Sequence, residues 1–140
     1  MIELPANREW IRPWVVCEAT DRWLTAIRRF APEMMPAPLI PAIQPVEPPK
    51  ARELLAGEGG PAVILWEVGD SLAAACDCLA RTAITSPQLL QWVAGPALSD
   101  RERIMLSEFG CAAVIRHPED LPKLTRMVHV YFATSDQHLD

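Results

Sequence analysis

Three side chains that can titrate or bind a metal ion, Glu18, Glu67 and His117, stand at or near the ends of short apolar runs of this 140-residue chain. A carboxylate pair with a histidine is the combination in this sequence best suited to holding a divalent cation or to acid–base chemistry, provided that folding brings the three together. The other interpretation is a remnant polar cluster at the rim of a sheet, with the histidine paired to a carboxylate. We favour this second interpretation.

Four cysteines are the remaining candidates for metal binding or redox chemistry: Cys17, Cys76, Cys78 and Cys111. Cys76 and Cys78 are two residues apart, and on a helix that spacing directs two side chains to nearly opposite faces. Cys17 and Cys111 fall on predicted strands that are not neighbours. The sequence therefore predicts reduced, buried or surface thiols and no zinc site.

Motifs that would indicate a cofactor or a catalytic nucleophile are absent from the sequence. The six glycines form neither a G-x-G-x-x-G fingerprint nor a phosphate-binding P-loop. No G-x-S-x-G nucleophile elbow occurs either. We therefore predict no cofactor and no catalytic residue.

The elements that must position these side chains alternate between short apolar runs and amphipathic stretches. Strands are predicted at 14–17, 61–66, 89–94 and 111–115, and helices at 20–30, 50–56, 71–82, 99–109 and from 118 onward. Thr20 is the predicted cap of the first helix and Pro32 its stop. Ser99 and Glu102 have the spacing of a capping box, and Gly110 is suited to end the helix that they open.

Seven of the 14 prolines lie between Pro32 and Pro49. Each proline removes a backbone donor, so this segment is a poor candidate for a central strand. Leu39–Ile43 is compatible with an irregular edge strand, and the segment is equally compatible with an extended connector. A docking motif for an aromatic groove is the third interpretation.

Strands that alternate with helices predict an α/β fold, a doubly wound parallel sheet with helices on both faces. Right-handed crossovers favour five strands in the order 2-1-3-4-5, with the Pro-rich segment as the second strand. We expect one domain over 1–140, with a core at about 12–132 and a frayed tail at 134–140. Ligands of such sheets bind at the carboxyl ends of the strands.

The order of these elements and the segment Gly110–Pro118 resemble a response-regulator receiver domain from about Arg12 to Phe132. That family has an acidic pair after the first strand, a phosphoaccepting Asp after the third, a Thr or Ser after the fourth and Lys-Pro after the fifth. Matched onto this chain, the degenerate site consists of Cys17 and Glu18 for the acidic pair, Trp66 with Glu67 beside it for the acceptor, Val93 or Ala94 for the hydroxyl, and His117-Pro118 for Lys-Pro.

These departures bear directly on phosphoryl transfer. The family's reaction requires Mg²⁺, which is held by several carboxylate and other oxygen ligands. Trp66 is neither a nucleophile nor a metal ligand, and one carboxylate of the acidic pair is missing. The resemblance thus implies a receiver-like fold without the activity, a pseudo-receiver. Together with Trp14 and Trp92, Trp66 is expected to fill the core and the crevice.

Composition limits the partners. The net charge is −5 and the 13 Lys and Arg residues are scattered, which argues against nucleic-acid binding. No run approaches the roughly 18 apolar residues of a membrane span. We see no signal peptide in residues 1–12, which predicts a cytoplasmic protein.

By resemblance, the face formed by the fourth helix, fifth strand and fifth helix is expected to bind a partner protein or a second copy of the chain. That face comprises Arg101, Ile104, Met105, Glu108, Arg116, Pro122, Lys123 and Arg126. Trp10 is a further candidate for exposure at an interface. Our first hypothesis is a non-catalytic, phosphorylation-independent signalling or scaffolding module, not an enzyme. The alternative is a small metal- or ligand-binding protein or enzyme that uses Glu18, Glu67 and His117.

Overall fold

The computed structural model describes residues 10–58, 60–69, 71–95 and 97–135. Its strands are β1 (Ile11–Cys17), β2 (Ile40–Pro45), β3 (Val63–Glu67), β4 (Leu90–Ala94) and β5 (Ala113–Ile115). Its helices are α1 (Arg22–Met34), α2 (Pro48–Glu58), α3 (Leu72–Thr85), α4 (Asp100–Glu108), a 3₁₀ helix (Pro118–Leu124) and α5 (Thr125–Ser135). All described strand pairs are parallel, in the order β2-β1-β3-β4-β5. The predicted fold class and strand order are confirmed.

The sheet separates two apolar layers because successive residues of a strand point to opposite faces. One layer packs Trp14, Val16, Leu65 and Trp92 against α1 and α5, and the Trp14 and Trp92 rings meet edge to face at 5.6 Å. The other layer packs alternate residues of the same strands against α2, α3 and α4, and it contains Trp66. All three strand tryptophans are buried, as predicted.

The Pro-rich segment forms β2, an edge strand that pairs with β1 from Ile11 opposite Ile40 to Val16 opposite Pro45. An edge strand needs only one set of ladder hydrogen bonds, so prolines are tolerated there. The structure therefore resolves the alternatives for residues 40–45 in favour of the strand. Pro32 belongs to α1, Pro48 and Pro49 begin α2, and Pro36 and Pro38 lie in the loop between α1 and β2.

Three predictions at helix ends were wrong. Pro32 does not stop α1, which continues to Met34, because a proline in the last turn removes a single hydrogen bond. Thr20 is not its main cap, since its hydroxyl lies 3.4 Å from the Arg22 N–H. The last helix begins as a 3₁₀ helix and becomes α-helical only at Thr125, because Pro122 cannot donate within the first turns.

Several local signals were confirmed. Ser99 and Glu102 form the complete capping box of α4, and Gly110 follows that helix with a φ of 107°, which favours glycine. Ser71 caps α3. Thr134 and Ser135, placed in the tail by the sequence, form the end of α5, and 136–140 lie outside the described residues. Within the described ranges, no helix combines the length and apolarity needed to cross a bilayer.

Candidate functional site

Trp66 lies at the centre of the carboxyl edge of the sheet, where a receiver would carry its phosphoacceptor. It pairs with Cys17 of β1 and Val93 of β4, and its side chain is 2% exposed. The indole N–H donates to the Gln91 Oε1 atom at 2.9 Å, and the Gln91 amide donates to the Leu79 carbonyl at 3.2 Å. The indole is thereby fixed in the sheet by a satisfied buried hydrogen-bond chain.

Sequence reasoning missed Gln91, which is 3% exposed in the middle of β4. The available signal was an amide inside the apolar run 89–94, because a buried amide requires partners on facing elements. The identity of those partners, the indole of β3 and a carbonyl of α3, depends on the tertiary fold.

Glu18 is engaged at the start of α1. Its two carboxylate oxygens accept the backbone N–H groups of Trp23 at 2.8 Å and Leu24 at 2.7 Å. These N–H groups have no partner within the helix, and the helix dipole adds attraction for a negative charge. Glu18 thus caps α1, the role that the sequence assigned to Thr20.

Glu67 and His117 do not form a ligand set with Glu18. The Glu67 Oε1 atom accepts the Ala19 N–H at 3.1 Å, which ties the loop after β1 to the end of β3. His117 is exposed and precedes the 3₁₀ helix that Pro118 opens. Across the part of the chain that the structure describes, no three His, Cys, Asp or Glu side chains are grouped closely enough to hold a metal ion.

The remaining positions of the predicted degenerate site are apolar or sulfur-containing. Val93 and Ala94, at the hydroxyl position, are fully buried. Burial raises the pKa of the Cys17 thiol to about 12, with a further contribution from Cys78. A cavity of about 260 Å³ lies beside Trp66 and includes Cys17, Glu67 and Cys78 in its wall. This crevice contains two thiols, an indole and a single carboxylate, fewer carboxylates than phosphoryl chemistry with Mg²⁺ would require.

The predicted interface residues border the free edge of β5. The sheet places α4 on one side of this strand and the 3₁₀ helix with α5 on the other. Ile104 is 63% exposed, Met105 and Arg116 are partly buried, and the others are exposed: Arg101, Glu108, Pro122, Lys123 and Arg126. Arg116 donates to Asp100 at 3.2 Å and so links β5 to α4.

A groove of about 380 Å³ lies between α4 and β5 on this side of the molecule. Ile104, Ala113 and Val114 form its apolar part, and Asp100, Arg103 and Ser107 its polar part. An exposed apolar side chain beside a groove with polar neighbours is typical of a protein contact surface.

Comparison with known proteins shows structural likeness without sequence likeness. No family profile and no curated protein matches the chain. A CheY-like protein, TadZ, from Pseudomonas aeruginosa PAO1 superposes with a TM-score of 0.65 at 15% identity, over 84% of this chain and 92% of that one. A putative CpaE2 pilus assembly protein from Sinorhizobium meliloti 1021 gives 0.67 at 16% identity, over 83% and 98%.

A third similar structure is the beryllofluoride-activated NtrC4 receiver domain dimer, with a TM-score of 0.64 at 12% identity, over 85% of this chain and 98% of that one. At such identities the likeness establishes the fold and not the activity. The chain has the fold of CheY-like receiver domains.

Proposed function

We propose that this chain is a receiver-like signalling or scaffolding module that acts through protein contacts and is not phosphorylated at the usual site. The observation that carries the proposal is Trp66, which is buried at the acceptor position and hydrogen-bonded to Gln91. An indole cannot accept a phosphoryl group, and its removal from the crevice would break its hydrogen bond to the buried Gln91 Oε1 atom.

The neighbouring oxygens support the same proposal. Magnesium requires near-octahedral oxygen coordination. The Glu18 carboxylate already accepts two backbone N–H groups, and Glu67 accepts one. Metal binding at either group would compete with these hydrogen bonds. The alternative function, a metal- or ligand-binding protein or enzyme that uses Glu18, Glu67 and His117, has no comparable support, and we do not propose it.

Acetyl phosphate with Mg²⁺ is expected to leave the protein unmodified. Intact-mass spectrometry should detect no phosphoryl adduct after an incubation that fully labels an active receiver run in parallel. The matched control is Glu67→Gln, because Glu67 is the carboxylate nearest the acceptor position along β3. A stoichiometric adduct on the wild-type chain that disappears in Glu67→Gln would assign acceptor chemistry to Glu67 and contradict the proposal.

The contact surface of the module is the edge formed by α4, β5 and the start of α5. The solved NtrC4 receiver domain is a dimer, and the edge formed by α4 and β5 here has Ile104 beside its groove. The described charges on α4 and α5 are mixed, since Arg101, Glu108 and Arg126 are all exposed. Mixed charge around an apolar centre suits a protein partner, and we propose a second copy of this chain as the first one to test.

The substitution Ile104→Asp is expected to weaken self-association by about 10-fold or more, because it places a charge at the apolar centre of the contact. Sedimentation equilibrium over a range of micromolar concentrations measures the effect. Ile84→Asp is the matched control, since Ile84 is 81% exposed on α3, away from β5. A wild-type chain that stays monomeric throughout, or equal weakening by both substitutions, would contradict this surface.

A further inference from the structure

The cavity beside Trp66 has a composition unlike that of a phosphorylation site. It has a volume of about 260 Å³ and lies between the carboxyl ends of β1 and β3 and the starts of α2 and α3. Much of its wall is small or apolar: Pro48, Trp66, Gly69, Ala74 and Ala75. The groups in the wall that can bind a ligand are two thiols, one carboxylate and one hydroxyl.

The two thiols are those of Cys17 and Cys78. Cys17 ends β1 with 3% exposure, and Cys78 is half-buried on α3. Both residues line the same cavity, and the charge that Cys78 would carry adds to the effect of burial on the pKa of Cys17, which is raised. Cys76, two residues from Cys78, belongs to the same apolar layer but does not line this cavity.

The oxygen groups of the wall are already hydrogen-bonded, whereas the thiols are not. The Ser71 hydroxyl accepts the Ala74 N–H at 3.1 Å, and Glu67 accepts the Ala19 N–H. Among the described residues, neither Cys17 nor Cys78 has a hydrogen-bond partner, and both are free thiols. Two thiols without hydrogen bonds in the wall of one small cavity are available to a ligand that prefers sulfur.

We propose that Cys17 and Cys78 bind one soft monovalent metal ion of the Cu(I) class in this cavity. Thiolates select soft ions, and Cu(I) is stable between two sulfurs alone. The described residues provide no third His, Cys, Asp or Glu ligand, and this excludes a four-coordinate zinc site. Binding exchanges two S–H protons for one metal ion, so that Cys17, Cys78 and Cu(I) form one bis-thiolate complex with two protons released.

The test is anaerobic titration of the reduced protein with Cu(I), in competition with a colorimetric Cu(I) chelator. We expect one equivalent to bind per chain, and native mass spectrometry should find the monomer heavier by one copper less one proton, the shift that a monovalent ion gives at constant charge. Because two protons leave, the apparent affinity should rise by about 100-fold per pH unit below the thiol pKa values. Bound Cu(I) should also protect Cys78 from alkylation.

The variants Cys17→Ser and Cys78→Ser should each lose more than about 100-fold in affinity, since even outer-shell partners of a metal site contribute 10- to 100-fold. Cys76→Ser and Cys111→Ser are matched controls with buried thiols outside the cavity, and both should bind as the wild type does. Circular dichroism establishes that each variant is folded. Cys78→Ser, at a half-buried helix position, keeps the test decisive if Cys17→Ser does not fold.

Absence of binding by the wild-type chain would overturn the proposal. Retention of full affinity in Cys78→Ser, or its loss in Cys111→Ser, would overturn it as well. The proposal does not depend on the proposed function, because the Cu(I) titration does not involve phosphorylation or self-association.

Discussion

The substitution Trp66→Ala is expected to lower the free energy of unfolding by about 3–5 kcal/mol. The indole is 2% exposed and packs in one apolar layer with Val15, Ile64 and Val93. Its removal would leave a cavity in the centre of the sheet and would deprive the buried Gln91 carbonyl of its donor. Both the cavity and the lost hydrogen bond lower the free energy of unfolding.

Urea denaturation followed by circular dichroism measures this change. Trp10→Ala is the matched control, because Trp10 is 38% exposed at the start of β1 and its loss should cost about 1 kcal/mol or less. A loss below about 1 kcal/mol for Trp66→Ala would mean that the indole is dispensable in the crevice. The acceptor position would then be open to other chemistry, and the main argument against phosphorylation would fail.

Much of the fold could be predicted because its signals are local. The apolar runs at 61–66 and 89–94 became β3 and β4, and the alternation of elements was sufficient for the strand order. The capping box of Ser99 and Glu102 involves atoms within one helical turn, so its spacing in the sequence predicts its geometry. Gly110 was predictable for the same reason, since a helix C-terminus favours a residue that accepts positive φ.

The Pro-rich second strand was predicted, and its edge position in the sheet explains why prolines are tolerated there. The errors arose at helix ends, where a contact depends on the path of the adjoining loop. The cap of α1 was missed because Glu18 reaches over a three-residue loop to the N–H groups of Trp23 and Leu24, whereas the expected cap, Thr20, lies within that loop.

The candidate site was predictable as a list of residues and not as an arrangement. Glu18, Trp66 and His117 were identified because each lies at or just after the end of a predicted strand. In a parallel sheet the carboxyl ends of the strands lie at the same edge. The partner of Trp66 on β4 and the approach of Cys78 to Cys17 depend on how α3 packs over the sheet. Cys76 and Cys78 both pack with the apolar layer that contains Trp66, and only Cys78 lines the cavity, a difference that their spacing in the sequence did not indicate.

The substitution Glu18→Ala is expected to lower the free energy of unfolding by about 1–3 kcal/mol, with Glu18→Gln intermediate. Hydrogen bonds to a charged acceptor each contribute about 1.5–3 kcal/mol, and partial exposure of Glu18 lets water replace some of that stabilisation. Gln keeps one acceptor oxygen but not the charge that the helix dipole favours. Denaturation in urea measures both variants, and Glu53→Ala, an exposed carboxylate on α2, should change stability by less than about 0.5 kcal/mol.

The sign of this change separates the two roles that Glu18 can have. A carboxylate kept for binding a metal ion is repelled by its acidic neighbours in the metal-free protein, so its neutralisation leaves stability unchanged or raises it. A carboxylate that caps a helix gives the opposite sign. A Glu18→Gln variant that is more stable than the wild type, and that binds Mg²⁺ or Mn²⁺ less tightly, would therefore support a metal-binding role for Glu18. A clear loss of stability without an effect of either cation would support the structural role that the distances to Trp23 and Leu24 indicate.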